Sequence, residues 1–352
     1  MPGLAMNRLI PMNNTCMEPS VAVAPLVREQ AWEIEALLLR VFEYGDYSLR
    51  SALSGAYAEH LDCIFSCIRE DGVLVGAGAA LCGRRNPTVA LLGPIGVVDT
   101  HRRRGIGTTL VNSLLRNLQS RGCHAVYLGV SSGHPALRFY QRLGFVTYQG
   151  IVRRLLLDRK EDWQQTYFAP SAQVEVRPAN WGDFPGVQAL LCCPGSMITV
   201  DLARGVFSSR YVEPGRFLSL FPDIIRCCNR RDGRANVLVT RPAQSVGGFA
   251  YACPLPGEGQ RHVGCLEFYV HDNFMDEAGA LVRATLLDAR RMNLRRLRCL
   301  ALAADRPKRR IAKSLGGTYA AEFVASARVN DDFHDVVVYE WDMQEASPGA
   351  DI

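Results

Sequence analysis

The sequence predicts an α/β protein made of two tandem domains that repeat one plan, and three observations carry this. The chain has 352 residues, more than one ordinary compact domain needs and comfortable for two. Strand-like and helix-like runs alternate along most of it. Residues 99–145 also slide onto 271–317 without a gap, an offset of 172, and the positions that coincide are those of a core. Leu110 falls on Val282, Leu114 and Leu115 on Leu286 and Leu287, Leu128 on Leu300, Pro135 on Pro307, Leu143 on Leu315 and Gly144 on Gly316.

Taken in order, residues 1–20 are expected to be a flexible leader. They carry one arginine and no continuous apolar core of signal-peptide length. Apolar Trp32, Ile34, Leu37, Leu38, Val41 and Phe42 recur at helical spacing and predict a helix from Arg28 to Phe42. Strands are expected at Cys63–Ile68, Val73–Ala80 and Val89–Val98, separated by the turn pairs Asp71-Gly72 and Asn86-Pro87. A helix follows from about Gly107 to Ser120, stopped by Gly122. Ala125–Val130 reads as a buried strand, and a short helix opens at Pro135 and closes at Gly144. Phe145–Tyr148 and Val152–Leu157 complete a first domain over residues 21–158. The polar stretch 159–173 reads as a linker. A second domain over 174–345 begins with a strand at Val174–Arg177 and a helix near Asp183. It adds a helix at Glu277–Leu294 and a strand at Leu297–Leu302, before a flexible tail at 346–352.

Composition narrows the class. Hydrophobic residues make up 48% and charged residues 21%, as in a globular protein with real cores, and no run is long and apolar enough to span a bilayer. The twelve cysteines form no C-x-x-C and no zinc-like spacing, so they read as reduced core thiols of a cytoplasmic protein, and no metal site is expected. The net charge of +5 rests on 40 basic residues, of which only Lys160, Lys308 and Lys313 are lysines. Such arginine bias points to a GC-rich coding sequence. Ten basic residues crowd between Arg290 and Lys313 against Asp305 alone. Such a run fits contact with an anionic acceptor, RNA or a phosphorylated carrier included, or a solvated face; no aromatic residues interleave it, so the solvated face is expected and nucleic acid is not expected as a partner.

The strand ending at Val98 runs into Asp99-Thr-His-Arg-Arg-Arg-Gly-Ile-Gly-Thr-Thr109 and then directly into a helix. Gly105 and Gly107 allow tight turns, and the first amides of a helix have no internal partners and sit at the positive end of its dipole. A pyrophosphate can rest there, aided by Arg102, Arg103 and Arg104 and by the hydroxyls of Thr108 and Thr109. A P-loop is excluded because no Gly-Lys-Ser/Thr is present, and a dinucleotide fingerprint because position 110 is leucine. By itself a G-x-G pair also fits an ordinary glycine turn beside a solvated arginine run.

Residues 91–148 as a whole resemble the GNAT superfamily of acyl-CoA-dependent N-acyltransferases. Arg102-x-x-Gly105-x-Gly107 matches that family's CoA pyrophosphate motif. Pro135-Ala-Leu-Arg-Phe-Tyr140-Gln-Arg-Leu-Gly144-Phe145 matches its second signature, about thirty residues on. The resemblance implies two tandem GNAT-like domains, each a mixed, mostly antiparallel sheet with a splayed strand pair flanked by helices. It implies acetyl-CoA as acyl donor, with backbone groups of Ile95, Val97 and Val98 on its pantetheine arm. The pyrophosphate would lie on Arg102, Arg103, Arg104, Gly105, Ile106, Gly107 and Thr108. Tyr140 falls on the position that protonates the departing thiolate, although its helical stripe with Ala136, Phe139 and Leu143 would equally suit a core tyrosine. Gly133, after Ser131 and Ser132, stands where many members have an asparagine. The general base is open among Asp99, His101, Glu43 and Asp46, with His101 expected to pack.

At the offset of 172, Arg102 becomes Phe274, Gly105 becomes Glu277 and Tyr140 becomes Ala312, while Gly107 persists as Gly279. The second domain is therefore expected to keep the fold without the chemistry. The expected reaction moves an acetyl group from acetyl-CoA to a primary amine of a small molecule or peptide. The alternatives are a longer acyl donor, decarboxylation of a malonyl-type thioester, or a non-catalytic CoA-binding regulatory or scaffold protein. The expected assembly is a monomer with an internal pseudo-dimer, or a homodimer.

Overall fold

A computed structural model describes residues 18–42, 47–131, 133–149, 152–158, 162–207, 211–212, 216–255, 260–329 and 331–344. Most of the expected leader, Glu43, Asp46, Ser132 and the expected tail lie outside them. The chain forms two compact units. The first runs to Val146 and includes Arg153–Glu161, and the second holds Thr147–Val152 and everything from Asp162.

The elements up to residue 156 begin with β1 (Ser20–Val23), α1 (Arg28–Phe42), α2 (Tyr47–Leu53), β2 (Leu61–Glu70), β3 (Val73–Gly83) and β4 (Val89–Val97). These are followed by α3 (Ile106–Ser120), β5 (Ala125–Gly129), α4 (Leu137–Arg142), β6 (Val146–Gln149) and β7 (Val152–Leu156). The seven strands lie in the order β1-β2-β3-β4-β5-β7-β6. β1 to β4 pair antiparallel in succession, and β4 and β5 run parallel. α3 buries Ile106, Leu110, Val111, Leu114, Leu115 and Leu118, one stripe at helical spacing. That stripe sits close on β3: a β-carbon on Gly76 would stand 2.7 Å from Ile106 Cγ2. α1 packs on the other face, where a β-carbon on Gly96 would stand 2.9 Å from Leu38 Cδ2. Gly96 and Gly76 face opposite ways because Gly76 pairs with Val97 and neighbouring strand residues alternate.

The stretch read as a linker contains α5 (Trp163–Tyr167), whose Trp163 and Tyr167 are buried together with Phe168. Three large aromatic rings in an otherwise polar run supply the apolar area that orders it.

The second unit continues with β8 (Val174–Pro178), α6 (Phe184–Cys192), β9 (Thr199–Asp201), β10 (Val206–Phe207), β11 (Tyr211–Val212), α7 (Arg216–Asn229) and β12 (Arg234–Thr240). Then come β13 (Val246–Pro254), β14 (Val263–Val270), α8 (Ala278–Ala289), β15 (Arg296–Leu302), α9 (Arg306–Ser314), β16 (Thr318–Val329) and β17 (Asp332–Asp342). Its large sheet reads β8-β12-β13-β14-β15-β17-β16, strand for strand the order of the first, and β14–β15 is again the parallel pair. The repeat is therefore structural. α8 starts 172 residues after α3, and Gly144 and Gly316 both close their helices at positive φ, 92° and 84°. α8 ends at Ala289, earlier than the expected Leu294. Residues 290–295 turn instead, so that the amides of Arg295 and Arg296 reach the carbonyl of His262 and start β15 beside β14.

Candidate active site

The site grows from the place where β4 and β5 part. They pair at Val89–Ala125, Ala90–Val126 and Leu91–Tyr127, and beyond these β4 runs on to Val97 without β5 beside it. On the opposite edge, the Val98 amide donates to the Val75 carbonyl at 3.0 Å, which makes these two a hydrogen-bonded pair. Antiparallel alternation then aims Gly96 at Ala77 and leaves the backbone groups of Ile95 and Val97 facing the gap. Val98 departs from the expectation for a pantetheine contact. Its amide is bound to β3, and its carbonyl accepts from the His101 amide at 2.9 Å.

After a 3-10 turn at Asp99–His101 the chain enters α3 through two residues in the left-handed region, Arg103 at φ 64° and Gly105 at φ 82°. This entry turns the backbone outward. The first amide of the helix with a backbone partner is that of Thr109, which bonds the Gly105 carbonyl at 3.1 Å. Among the described residues, the amides of residues 103–108 have no hydrogen-bond partner. A β-carbon on Gly105 would meet nothing within 4 Å, so the space in front of these amides is open. Six consecutive free donors at the positive end of a fifteen-residue helix suit a pyrophosphate.

The three arginines do not act alike. Arg102 pairs with Asp99 at 2.7 Å and reaches the Val97 carbonyl at 3.3 Å. Arg104 turns back to Glu70 at the end of β2, with Nη1 to Oε2 at 3.0 Å and a second bond from Nη2 to Oε1. The same carboxylate meets His101 Nε2 at 2.6 Å, and His101 Nδ1 meets the Thr100 hydroxyl at 2.7 Å. Arg104 first and His101 second hold the Glu70 carboxyl below the usual carboxylate range. Among the described residues Arg103 has no carboxylate partner, so it is the arginine of the three whose charge is uncommitted. Glu70 carries no local signal in the sequence, because 31 residues and a hairpin separate it from His101.

Tyr140 lies on α4, which packs at the same place. Phe139 approaches Gly107, where a β-carbon would stand 3.5 Å from its ring, and Val97 lies 4.0 Å from that point. Ile95, Phe139 and Tyr140 pack on one apolar cluster. The Tyr140 ring meets Phe139 and Phe145 edge-on, with centroids 5.0 and 5.7 Å away. Burial pushes its phenol up to about 12, and among the described residues its hydroxyl has no hydrogen-bond partner. The His134 ring accepts from the Ala136 amide at 3.1 Å and so helps start α4. Gly133 stands open, with nothing within 4 Å of a β-carbon. Asp99 and His101 are both engaged as described, which leaves neither as an unpaired base.

The matching place in the second unit is filled. β14 and β15 pair at Val263–Arg296, Gly264–Leu297 and Cys265–Arg298 and then part in the same way. β9 packs against both strands there. The Leu302 amide donates to Thr199 Oγ1 at 3.0 Å, and fully buried Lys308 donates to the carbonyls of Thr199 and Val200 at 3.0 and 3.2 Å. Lys308 also meets Glu267 at 2.6 Å, and Glu267 occupies the position that matches Ile95. At the entrance to α8, Glu277 is right-handed at φ −89°, and the amides of Glu277, Ala278 and Ala280 bond the carbonyls of Phe274, Met275 and Glu277. Phe274 is buried against Gly247. The basic run 290–313 is likewise dispersed: Lys308 is internal, Arg296 pairs with Asp342, Arg298 with Glu340, and Arg309 caps the Ala303 carbonyl.

Among the described residues, no group of three or more His, Cys, Asp and Glu is placed to hold a metal ion, and no helix is long and apolar enough to cross a membrane. Residues 29–145 match the model of the acetyltransferase (GNAT) family. No curated protein matches the sequence. Similar solved structures include the ribosomal-protein-alanine N-acetyltransferase of Brucella melitensis, 19% identical, covering 48% of this chain and 99% of that one with a TM-score of 0.39. An N-acetyltransferase from Staphylococcus aureus Mu50 is 15% identical over 49% of this chain and 100% of its own, with a TM-score of 0.41. The structure of yncA from Salmonella typhimurium, with its cofactor acetyl-CoA, is 16% identical over 50% and 98%, with a TM-score of 0.39. The first unit thus carries, over residues 29–145, an acetyltransferase domain of the GNAT family, an enzyme whose acetyl donor is acetyl-CoA.

Proposed function

We propose that the first unit, as a catalytic domain over residues 21–158, moves the acetyl group of acetyl-CoA to a primary amine of a small molecule or peptide. The observation that carries this reading is the run of free amides at residues 103–108, opening beside the gap between β4 and β5. In it, Arg103, Arg104, Gly105, Ile106, Gly107 and Thr108 present their amides to the pyrophosphate. The Arg103 guanidinium adds charge, and Arg102, balanced by Asp99, borders the same turn. Ile95 and Val97 offer backbone groups along the gap to the pantetheine arm.

Tyr140 is the proton donor of the proposal. As the amine nitrogen bonds to the acetyl carbon and the carbon–sulfur bond breaks, its hydroxyl gives a proton to the departing sulfur. A phenol at about 12 is fully protonated at neutral pH and keeps its proton until that sulfur carries charge. The acceptor amine must arrive uncharged. Since Asp99 and His101 are committed, bulk water or a group on the acceptor side takes its proton. The second domain, over 174–345, keeps the fold and binds no CoA, and the protein works in a cytoplasmic setting.

The test is release of free thiol from acetyl-CoA, followed against a library of primary amines and N-terminal peptides. Amine-dependent release with a matching gain of an acetyl group on the acceptor is the expected outcome. A protein that binds acetyl-CoA but gives no amine-dependent release would instead be a CoA-binding regulator. Faster release from a longer or malonyl-type thioester would move the assignment to that donor.

A further inference from the structure

Among the eleven described cysteines one pair stands apart. Seven thiols are pushed above the ordinary range, chiefly by burial. Cys227, half-buried on α7, goes the other way. Its fall below the ordinary thiol range comes first from the neighbouring Cys253 thiol of β13 and then from Arg230 and Arg204, whose positive charge outlasts burial and the opposing Asp232. The same closeness, together with burial, raises Cys253. Gly233 places the two sulfurs by geometry. A β-carbon there would stand 3.1 Å from Cys227 Sγ and 3.0 Å from Cys253 Sγ, so both sulfurs converge on the space this glycine leaves open.

We propose that Cys227 and Cys253 form an oxidisable dithiol in the second unit, a modification site for hydroperoxides in which Cys227 attacks and Cys253 resolves. The Cys227 sulfur bonds to one peroxide oxygen and the O–O bond breaks. The departing oxygen takes a proton, leaving water or an alcohol and a sulfenic acid on Cys227. The Cys253 sulfur then displaces the hydroxyl from Cys227, its own proton leaving with that hydroxyl as water. Each sulfur gives up one electron, and the peroxide takes both. The disulfide ties α7 to the middle of the sheet through β13, two elements that already pack together. Cys228, next in sequence, does not compete, because burial holds its thiol up to about 12.

The experiment treats the full-length protein with hydrogen peroxide and maps peptides without reduction. The expected result is loss of two hydrogens, a Cys227–Cys253 cross-link, and reversal by dithiothreitol. Cys227→Ser should abolish the cross-link. Cys253→Ala should leave a sulfenic acid on Cys227 that a 1,3-diketone captures. Gly233→Ala, which places a methyl against both sulfurs, should slow cross-linking while leaving the thiols present. Before oxidation, Cys227 should react with iodoacetamide at pH 7 at least about tenfold faster than Cys228, as a more ionised and more accessible thiol does. A folded protein whose mass is unchanged by peroxide, a bridge that uses Cys228, or equal alkylation of the two neighbours would overturn the assignment.

Discussion

The entrances to α3 and α8 occupy matching positions in two sheets of the same strand order, yet one is open and the other closed. At α3 the chain passes through Arg103 and Gly105 at positive φ, and six amides face outward. At α8 the chain stays right-handed through Glu277, and the amides close on the carbonyls of the preceding turn. The gaps beside them differ in the same sense. The first presents the backbone of Ile95 and Val97, and the second holds β9, Lys308 and Glu267. A core repeated position by position preserves the fold, while a few residues at one helix entrance decide whether its first amides stand free.

The sharpest way to break this contrast is at Tyr140, whose counterpart is Ala312. Tyr140→Phe keeps the ring and its contacts with Phe139 and Phe145, so acetyl-CoA affinity should hold while turnover falls by roughly 10²–10⁴-fold. Stopped-flow rates beside calorimetric affinities check this, and wild-type turnover with chemistry limiting would reduce Tyr140 to packing. Because burial raises this phenol to about 12, its acid form persists through the alkaline range. No loss of rate from Tyr140 is therefore expected between pH 7 and 10.

The filled gap of the second unit is the next target. Lys308→Ala strands Glu267 without its cation in a fully buried site, and should destabilise that unit by about 3–5 kcal/mol in chemical denaturation. Lys308→Met with Glu267→Gln should cost much less, since no buried charge is left alone. Equal losses in both variants would mean that shape, not charge, governs this core.

A smaller effect is expected at Glu70, which holds Arg104 and His101 beside the open entrance from a partly exposed position. Solvent screens such pairs, so Glu70→Gln should weaken acetyl-CoA binding by no more than about fivefold, with kcat retained. Tighter binding by this variant would show that Arg104, once freed, serves the phosphates better than it serves the turn.

Much of this was legible in the sequence because it depends on local pattern. The α3 stripe, the glycine stops at 144 and 316 and the offset of 172 all follow from spacing. The use made of the arginines was not legible. Arg104 looked like a phosphate ligand by adjacency, but its partner Glu70 lies on another strand, brought near by sheet register. Val98 differs from the pantetheine contact expected of it for a similar reason, since antiparallel alternation sends its amide to Val75. The plug in the second gap could not be foreseen either, because Lys308 sits in a basic run and Glu267 more than forty residues away. Burial, which pairs them, is a property of the folded chain.

Whether one entrance binds the donor and the other does not is decided by calorimetric titration of the full chain with acetyl-CoA. The account predicts one site per chain. It further predicts that Gly105→Glu, which places the residue of the closed entrance at a φ of 82° and a carboxylate before the free amides, weakens that site at least about tenfold, or about 1.4 kcal/mol. Gly105→Ala, which adds only the backbone penalty in open space, should lie between the two. Two sites of similar affinity, or unchanged affinity in a folded Gly105→Glu protein, would contradict it.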